Sequence, residues 1–167
     1  MKNLLSIATT VPSFRRSYSI KKDHRKISII IADDCADDQN LIQDAFKIID
    51  LDIEHTAVFN GQQLLDLLTS TGVYASSYQY HPSAVILDLN MPVMNGLEAL
   101  KIIRKQGENR NIPIFILHTA RQDDQLNQCS SLGVQGIYTK PATFNALKII
   151  LESIYYACGG MQSKLVR

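Results

Sequence analysis

The chain has 167 residues, of which 46% are hydrophobic and 20% charged, a length that suits one domain able to bury roughly 70% of its unfolded surface. Its 17 Lys and Arg against 16 Asp and Glu disfavour a strongly basic nucleic-acid binder, and no apolar run approaches the ~20 residues of a membrane span. Three scattered cysteines, Cys35, Cys129 and Cys158, offer no zinc-ligand spacing and fit a reducing, cytoplasmic setting.

Charge is unevenly placed. Residues 1–26 hold seven Lys and Arg and one Asp, whereas residues 27–167 hold ten and fifteen Asp and Glu. Residues 1–25 mix Ser, Thr, Arg and Lys without a sustained period and read as a flexible basic arm. The apolar stretch at the start is broken by Ser6, Thr9 and Thr10 and lacks the small-residue cleavage site of a secretory leader.

From Lys26 short apolar runs alternate with amphipathic segments. Residues 27–32 (Ile-Ser-Ile-Ile-Ile-Ala) are β-branched and almost wholly apolar, as expected of a parallel strand buried on both faces. Asp33 and Asp34 follow, then Leu41, Ile42, Ala45, Phe46, Ile48 and Ile49 at helical spacing, with Asp37 or Asp38 suited to the cap. A second strand spans 53–59 and a Leu-rich helix 62–69. Residues 70–82 form a loop that is long for its place. The third strand is 84–87, ending at Asp88. Asn95-Gly96 precedes a helix with Leu97, Leu100 and Ile103, and with Lys101, Arg104 and Lys105 near its end, where basic side chains suit the helix dipole. The fourth strand spans 112–117, before His118, Thr119 and Ala120. A short polar helix covers 123–132, the fifth strand 134–139 ends before Lys140-Pro141, and Phe144, Leu147, Ile150, Leu151 and Ile154 mark the last helix. The tail begins at Cys158. Five strand–helix units imply an α/β fold: a doubly wound parallel sheet with helices on both faces.

Ligand chemistry in such sheets gathers at the carboxyl ends of the strands. There Asp33-Asp34, Asp88, Thr119 and Lys140 each close an apolar run. Three carboxylates at one edge repel, at about 4 kcal/mol per close pair, and a divalent cation removes the conflict. Mg²⁺ favours carboxylate, carbonyl and water oxygens and keeps positions open for phosphate. Lys140 adds a compact positive charge and Thr119 a hydroxyl donor. The set suits an aspartate that accepts a phosphoryl group.

The motifs Ala-Asp-Asp (32–34), Leu-Asp-Leu-Asn-Met-Pro-Val-Met-Asn-Gly (87–96), His-Thr-Ala (118–120) and Tyr-Thr-Lys-Pro (138–141) resemble those of the receiver domain of two-component response regulators. The resemblance spans residues 26–157 and implies the flavodoxin-like, CheY-like strand order 2-1-3-4-5. It implies that Asp88 is the phosphoacceptor, with Thr119 bonding the phosphoryl group and Lys140 pairing with Asp88 or the phosphate. It also implies that Asp33, Asp34, Asp88 and the backbone carbonyl of Asn90 hold Mg²⁺, that Tyr138 is the aromatic switch beside Thr119, and that Pro141 follows a cis bond. The 70–82 loop and the wording around Asp88 resemble stand-alone regulators of the cyanobacterial-phytochrome type. His118 reads as structural or a rim contact, and His81 as loop packing.

The expected function is a single-domain regulator that takes a phosphoryl group from a sensor histidine kinase or a histidine phosphotransfer protein and signals through altered protein contacts. A homodimer through helix 4, strand 5 and helix 5 is an expected output. Residues 158–167 are too few for a helix-turn-helix output domain. A catalytic alternative is an aspartate-nucleophile phosphatase of the haloacid-dehalogenase type. Such enzymes carry Asp-x-Asp, and position 90 is Asn, which has no carboxyl proton to donate.

Overall fold

The computed structural model describes residues 26–75, 81–105, 107–119 and 123–159. The expected basic arm (1–25), the middle of the long loop (76–80), Ala120 and the tail from residue 160 lie outside the described residues. Five strands, β1 (Ile27–Ala32), β2 (Ile53–Val58), β3 (Ala84–Leu87), β4 (Ile114–His118) and β5 (Gly136–Thr139), alternate with helices α1 (Ala36–Ile48), α2 (Gly61–Thr69), α3 (Gly96–Lys105), α4 (Asp123–Ser131) and α5 (Phe144–Ala157). All strand pairs are parallel, in the order β2-β1-β3-β4-β5.

The apolar runs become strands because both sheet faces are covered. Ile30, Ala32, Val85, Leu87, Ile114 and Ile116 pack with α2, α3 and Cys129 of α4. Ile29, Ile31, Ala84, Ile86, Phe115 and Leu117 point the other way, onto α1 and α5. Successive side chains take opposite faces, so a strand walled on both sides cannot show polar alternation. Among the described residues no helix is long and apolar enough to cross a membrane.

Two helix starts follow their local signals. The Asn60 side chain accepts from the Gln63 N–H at 2.9 Å and Gln63 accepts from the Phe59 N–H at 2.8 Å. At α3 the capping is reciprocal, Asn95 accepting from the Glu98 N–H at 2.9 Å and Glu98 from the Asn95 N–H at 3.0 Å; each arrangement satisfies backbone donors near a helix start. At α1 the expectation is corrected. Cys35 holds the cap position without a side-chain bond, and Asp37 and Asp38 lie inside the first turn. Their charges still suit the helix dipole there, and their side chains are free for other partners.

The fourth strand starts later than expected because residues 108–111 form a 3₁₀ turn and Pro113 has no N–H to give the ladder. The expected cis bond before Pro141 is also corrected. The described residues contain no cis peptide; the bond is trans, the isomer that X-Pro favours intrinsically.

Candidate phosphoacceptor site

Register brings the acidic residues together. Ala32 on β1 lies beside Leu87 on β3, so the next residues, Asp33 and Asp88, leave the sheet side by side. The Asp88 N–H donates to the Ala32 carbonyl at 2.9 Å, and the Asp33 N–H to the Val58 carbonyl at 3.1 Å. On the far side Thr139 pairs with His118, and the Lys140 N–H continues that ladder to the His118 carbonyl at 2.7 Å. Lys140 thus starts two strands away from Asp88, within reach of its four-carbon stem.

The Lys140 ammonium lies 2.7 Å from Asp33 Oδ2, 2.8 Å from Asp38 Oδ2 and 2.8 Å from Asp88 Oδ2. An ammonium has three donors, and each has a carboxylate. Carboxylate oxygens of Asp33, Asp34 and Asp88 all lie within 4.8 Å of one another. Asp33 and Asp88 are buried, and Asp34 is exposed, so the cluster opens to solvent on one side.

The other Asp88 oxygen, Oδ1, accepts from the Asn90 N–H at 3.1 Å, which fixes the carboxylate plane. Gly96 closes in behind: its N–H donates to the Leu89 carbonyl at 3.0 Å, and a Cβ there would lie 2.1 Å from the Asp88 carbonyl oxygen. That approach is the reason position 96 must be glycine. Asp33 is oriented through Oδ1, which accepts from the Cys35 N–H at 3.0 Å. Buried Gln39 staples the turn, donating to the Asp33 carbonyl at 2.6 Å and the Val58 carbonyl at 3.0 Å.

Burial pushes the Asp33 carboxyl above the usual carboxylate value; bonds from Lys140 and the Cys35 amide oppose this, and the Asp88 charge adds to it. Burial acts to lower Lys140, but its bonds to Asp33, Asp38 and Asp88 outweigh that and hold it firmly protonated. The cluster is therefore short of positive charge. An oxygen-only donor set with two buried carboxylates and an open side fits a hard divalent cation of the Mg²⁺ class.

The structure brings Asp33, Asp34, Asp88 and Lys140 together as the sequence implied. Thr119 is exposed, directly after β4. Tyr138 is placed differently from expectation. Its ring packs with the α1/α5 cluster, against the bare backbone of Gly136, and its hydroxyl lies 3.2 Å from Ser153 Oγ on α5. Strand alternation sends the preceding residue, Ile137, to the α3/α4 side. Tyr138 therefore faces α5, not α4, and would have to cross the strand to swing between the two. Sequence reading missed Asp38 and Gln39. For Asp38 the only signal was a second acidic pair, Asp37-Asp38, about one turn after Asp33-Asp34; for Gln39 there was none.

Residues 29–152 match the family model for the response regulator receiver domain, and the chain belongs to that family of two-component signalling domains. It is similar to response regulator Rcp1 of Synechocystis sp., 27% identical over 75% of this chain and 84% of that protein. It is also similar to a probable chemotaxis protein CheY of Rhizobium etli, 30% identical over 79% and 95%. Among solved structures, the phosphorylated cyanobacterial phytochrome response regulator RcpA superposes with a TM-score of 0.72 at 26% identity, covering 83% of this chain and 99% of that one. The bacteriophytochrome response regulator AtBRR gives 0.68 at 28%, covering 84% and 98%.

Proposed function

We propose that this chain is a phosphorylation-controlled signalling module in which Asp88 accepts a phosphoryl group from the phosphohistidine of a sensor kinase or phosphotransfer protein. The observation that carries this reading is a buried Asp88 carboxylate, bonded to Lys140 at 2.8 Å and flanked by the two further carboxylates of Asp33 and Asp34. RcpA, the neighbour named above, was solved phosphorylated.

In the proposed step one Asp88 carboxylate oxygen forms a bond to phosphorus as the phosphorus–nitrogen bond to the donor histidine breaks; the electron pair leaves with the imidazole. The Asn90 N–H holds Oδ1 in place, which keeps the acceptor oriented without further reorganisation. Lys140 turns one donor from a carboxylate to a phosphoryl oxygen. Thr119, exposed at the end of β4, supplies a hydroxyl to another. Asp33, Asp34, Asp88 and the Asn90 carbonyl would hold Mg²⁺, which supplies charge neutralisation for the transferred oxygens. The domain then catalyses only its own phosphorylation and dephosphorylation, in a cytoplasmic setting that suits three free thiols. Output passes through protein contacts, including self-association on the α4–β5–α5 face.

The test is intact mass after incubation with acetyl phosphate and Mg²⁺. The protein gains one phosphoryl group, and neither Asp88→Asn nor EDTA-treated protein gains any. Undiminished labelling of Asp88→Asn would refute the assignment.

A further inference from the structure

Lys140 is bonded to three carboxylates, and they are not equivalent. Asp33 and Asp88 belong to the cluster whose oxygens converge within 4.8 Å together with Asp34. Asp38, in the first turn of α1, does not belong to it, yet its Oδ2 lies 2.8 Å from the ammonium. As it stands, Lys140 serves as the cluster's own cation, bridging Asp33 and Asp88 where a divalent ion would neutralise the same two charges. Any such ion competes with the ammonium for these oxygens, and the ammonium needs another anion to rest against. Among the described residues Asp38 is the one partner of Lys140 outside the cluster. Its side chain is 38% exposed, against 3% for Asp33 and 5% for Asp88, so it lies on the outward side of the ammonium.

We infer that Asp38 is a positioning residue that receives Lys140 when a divalent cation takes Asp33 and Asp88, and so sets the cation affinity of the site. The inference rests on the reading that the cluster binds Mg²⁺. Holding the ammonium at Asp38 removes its competition for Asp33 and Asp88 while keeping it one short movement from an oxygen on Asp88. A helix-capping role would give Asp38 a backbone amide partner; its partner is instead a side chain 102 residues away.

The test is a double-mutant cycle on the full chain, read as the Mg²⁺ dissociation constant from backbone amide shifts in NMR titrations; the chain has no Trp to report binding by fluorescence. Asp38→Asn keeps the shape and an acceptor oxygen but loses the charge. It raises the Mg²⁺ dissociation constant roughly five- to tenfold, the order expected of one charge coupled across a partly exposed site. Lys140→Met removes the competing ammonium and tightens Mg²⁺ binding. In the Lys140→Met background, Asp38→Asn changes the constant less than about twofold, because coupled residues do not act additively. An unchanged constant in Asp38→Asn, or equal weakening in both backgrounds, overturns the inference. Acetyl phosphate labelling of the wild type is followed in parallel. Labelled protein with an uncoupled cycle refutes only the role of Asp38; a coupled cycle in protein that takes no label refutes only the phosphoacceptor reading; wild type that binds no Mg²⁺ refutes the metal reading and this inference together.

Discussion

Single positions in this site are constrained by backbone as much as by charge. At Gly96 the missing Cβ lets the chain pass so near the Asp88 carbonyl that any side chain would meet it at 2.1 Å. The neighbour is backbone and cannot turn aside as a flexible side chain would. Gly96→Ala is therefore expected to lower stability by at least the ~1–3 kcal/mol typical of overpacking. The urea midpoint falls while the slope stays constant, and acetyl phosphate labelling is expected to slow because the strain falls on the Asp88 peptide. Asp33 shows the opposite tension: burial of its carboxylate is costly and pushes its pKa up, and the bonds from Lys140 and the Cys35 N–H oppose that cost.

Elements are joined by a few long side chains. Arg104, near the end of α3, donates to the carbonyls of Leu132 at 2.9 Å, of Arg110 and Ile112 at 3.0 Å each, and of Gly133 at 3.3 Å. It ties α3 to the turn before β4 and to the α4–β5 connection; burial lowers its pKa, yet a guanidinium stays charged. The basic end of α3 suggests a dipole contact from sequence; the structure shows a four-point stitch. Arg104→Lys preserves charge but not the planar fork, and about 1–3 kcal/mol of stability is expected to be lost with the carbonyl contacts, measured by urea unfolding. On edge strand β2, burial and then nearby Lys47 hold His55 below its ordinary value of 6.5. The unfolded chain binds the proton more readily than the folded one, so this contribution is present above pH 6.5 and is lost as pH falls below it. The urea midpoint should decline between pH 7.5 and about 5.5, and His55→Gln should flatten that part of the decline. An identical decline in the variant would place the titrating group elsewhere.

The domain as a unit carries a carboxylate cluster at one rim of its sheet, and a cation bound there would couple the site to global stability. A ligand that binds only the native state stabilises it by mass action, about 2.7 kcal/mol at a hundredfold excess over its dissociation constant. Mg²⁺ should accordingly raise the melting temperature of unphosphorylated protein. Asp34→Asn removes the exposed carboxylate of the cluster and leaves the Lys140 bonds to Asp33, Asp38 and Asp88 in place. Its melting temperature in EDTA should stay near that of the wild type and its Mg²⁺-dependent rise should vanish; a full rise in Asp34→Asn would put the metal elsewhere.

The strands and the convergence of Asp33, Asp34, Asp88 and Lys140 at one rim were legible in the sequence for one physical reason. A parallel strand covered on both faces must be a nearly unbroken apolar run, and the run can end in charge only where the chain emerges at the rim. The runs that close on Asp33, Asp88, Thr119 and Lys140 therefore mark one edge before any coordinate is known; edge strand β2, with Glu54, His55 and Thr56, is not such a run. The order of strands was implied by the resemblance and is what the hydrogen-bond ladder shows. Other features depended on contacts that no local pattern encodes. Asp38 looks like a helix cap until Lys140, 102 residues later, is folded against it. Gln39 reads as one more polar helix residue until β2 brings the Val58 carbonyl to it. The side of the sheet that Tyr138 faces hangs on strand parity: one residue of register decides between α4 and α5, and only the ladder pairing Tyr138 with Leu117, together with packing on both faces, settles it.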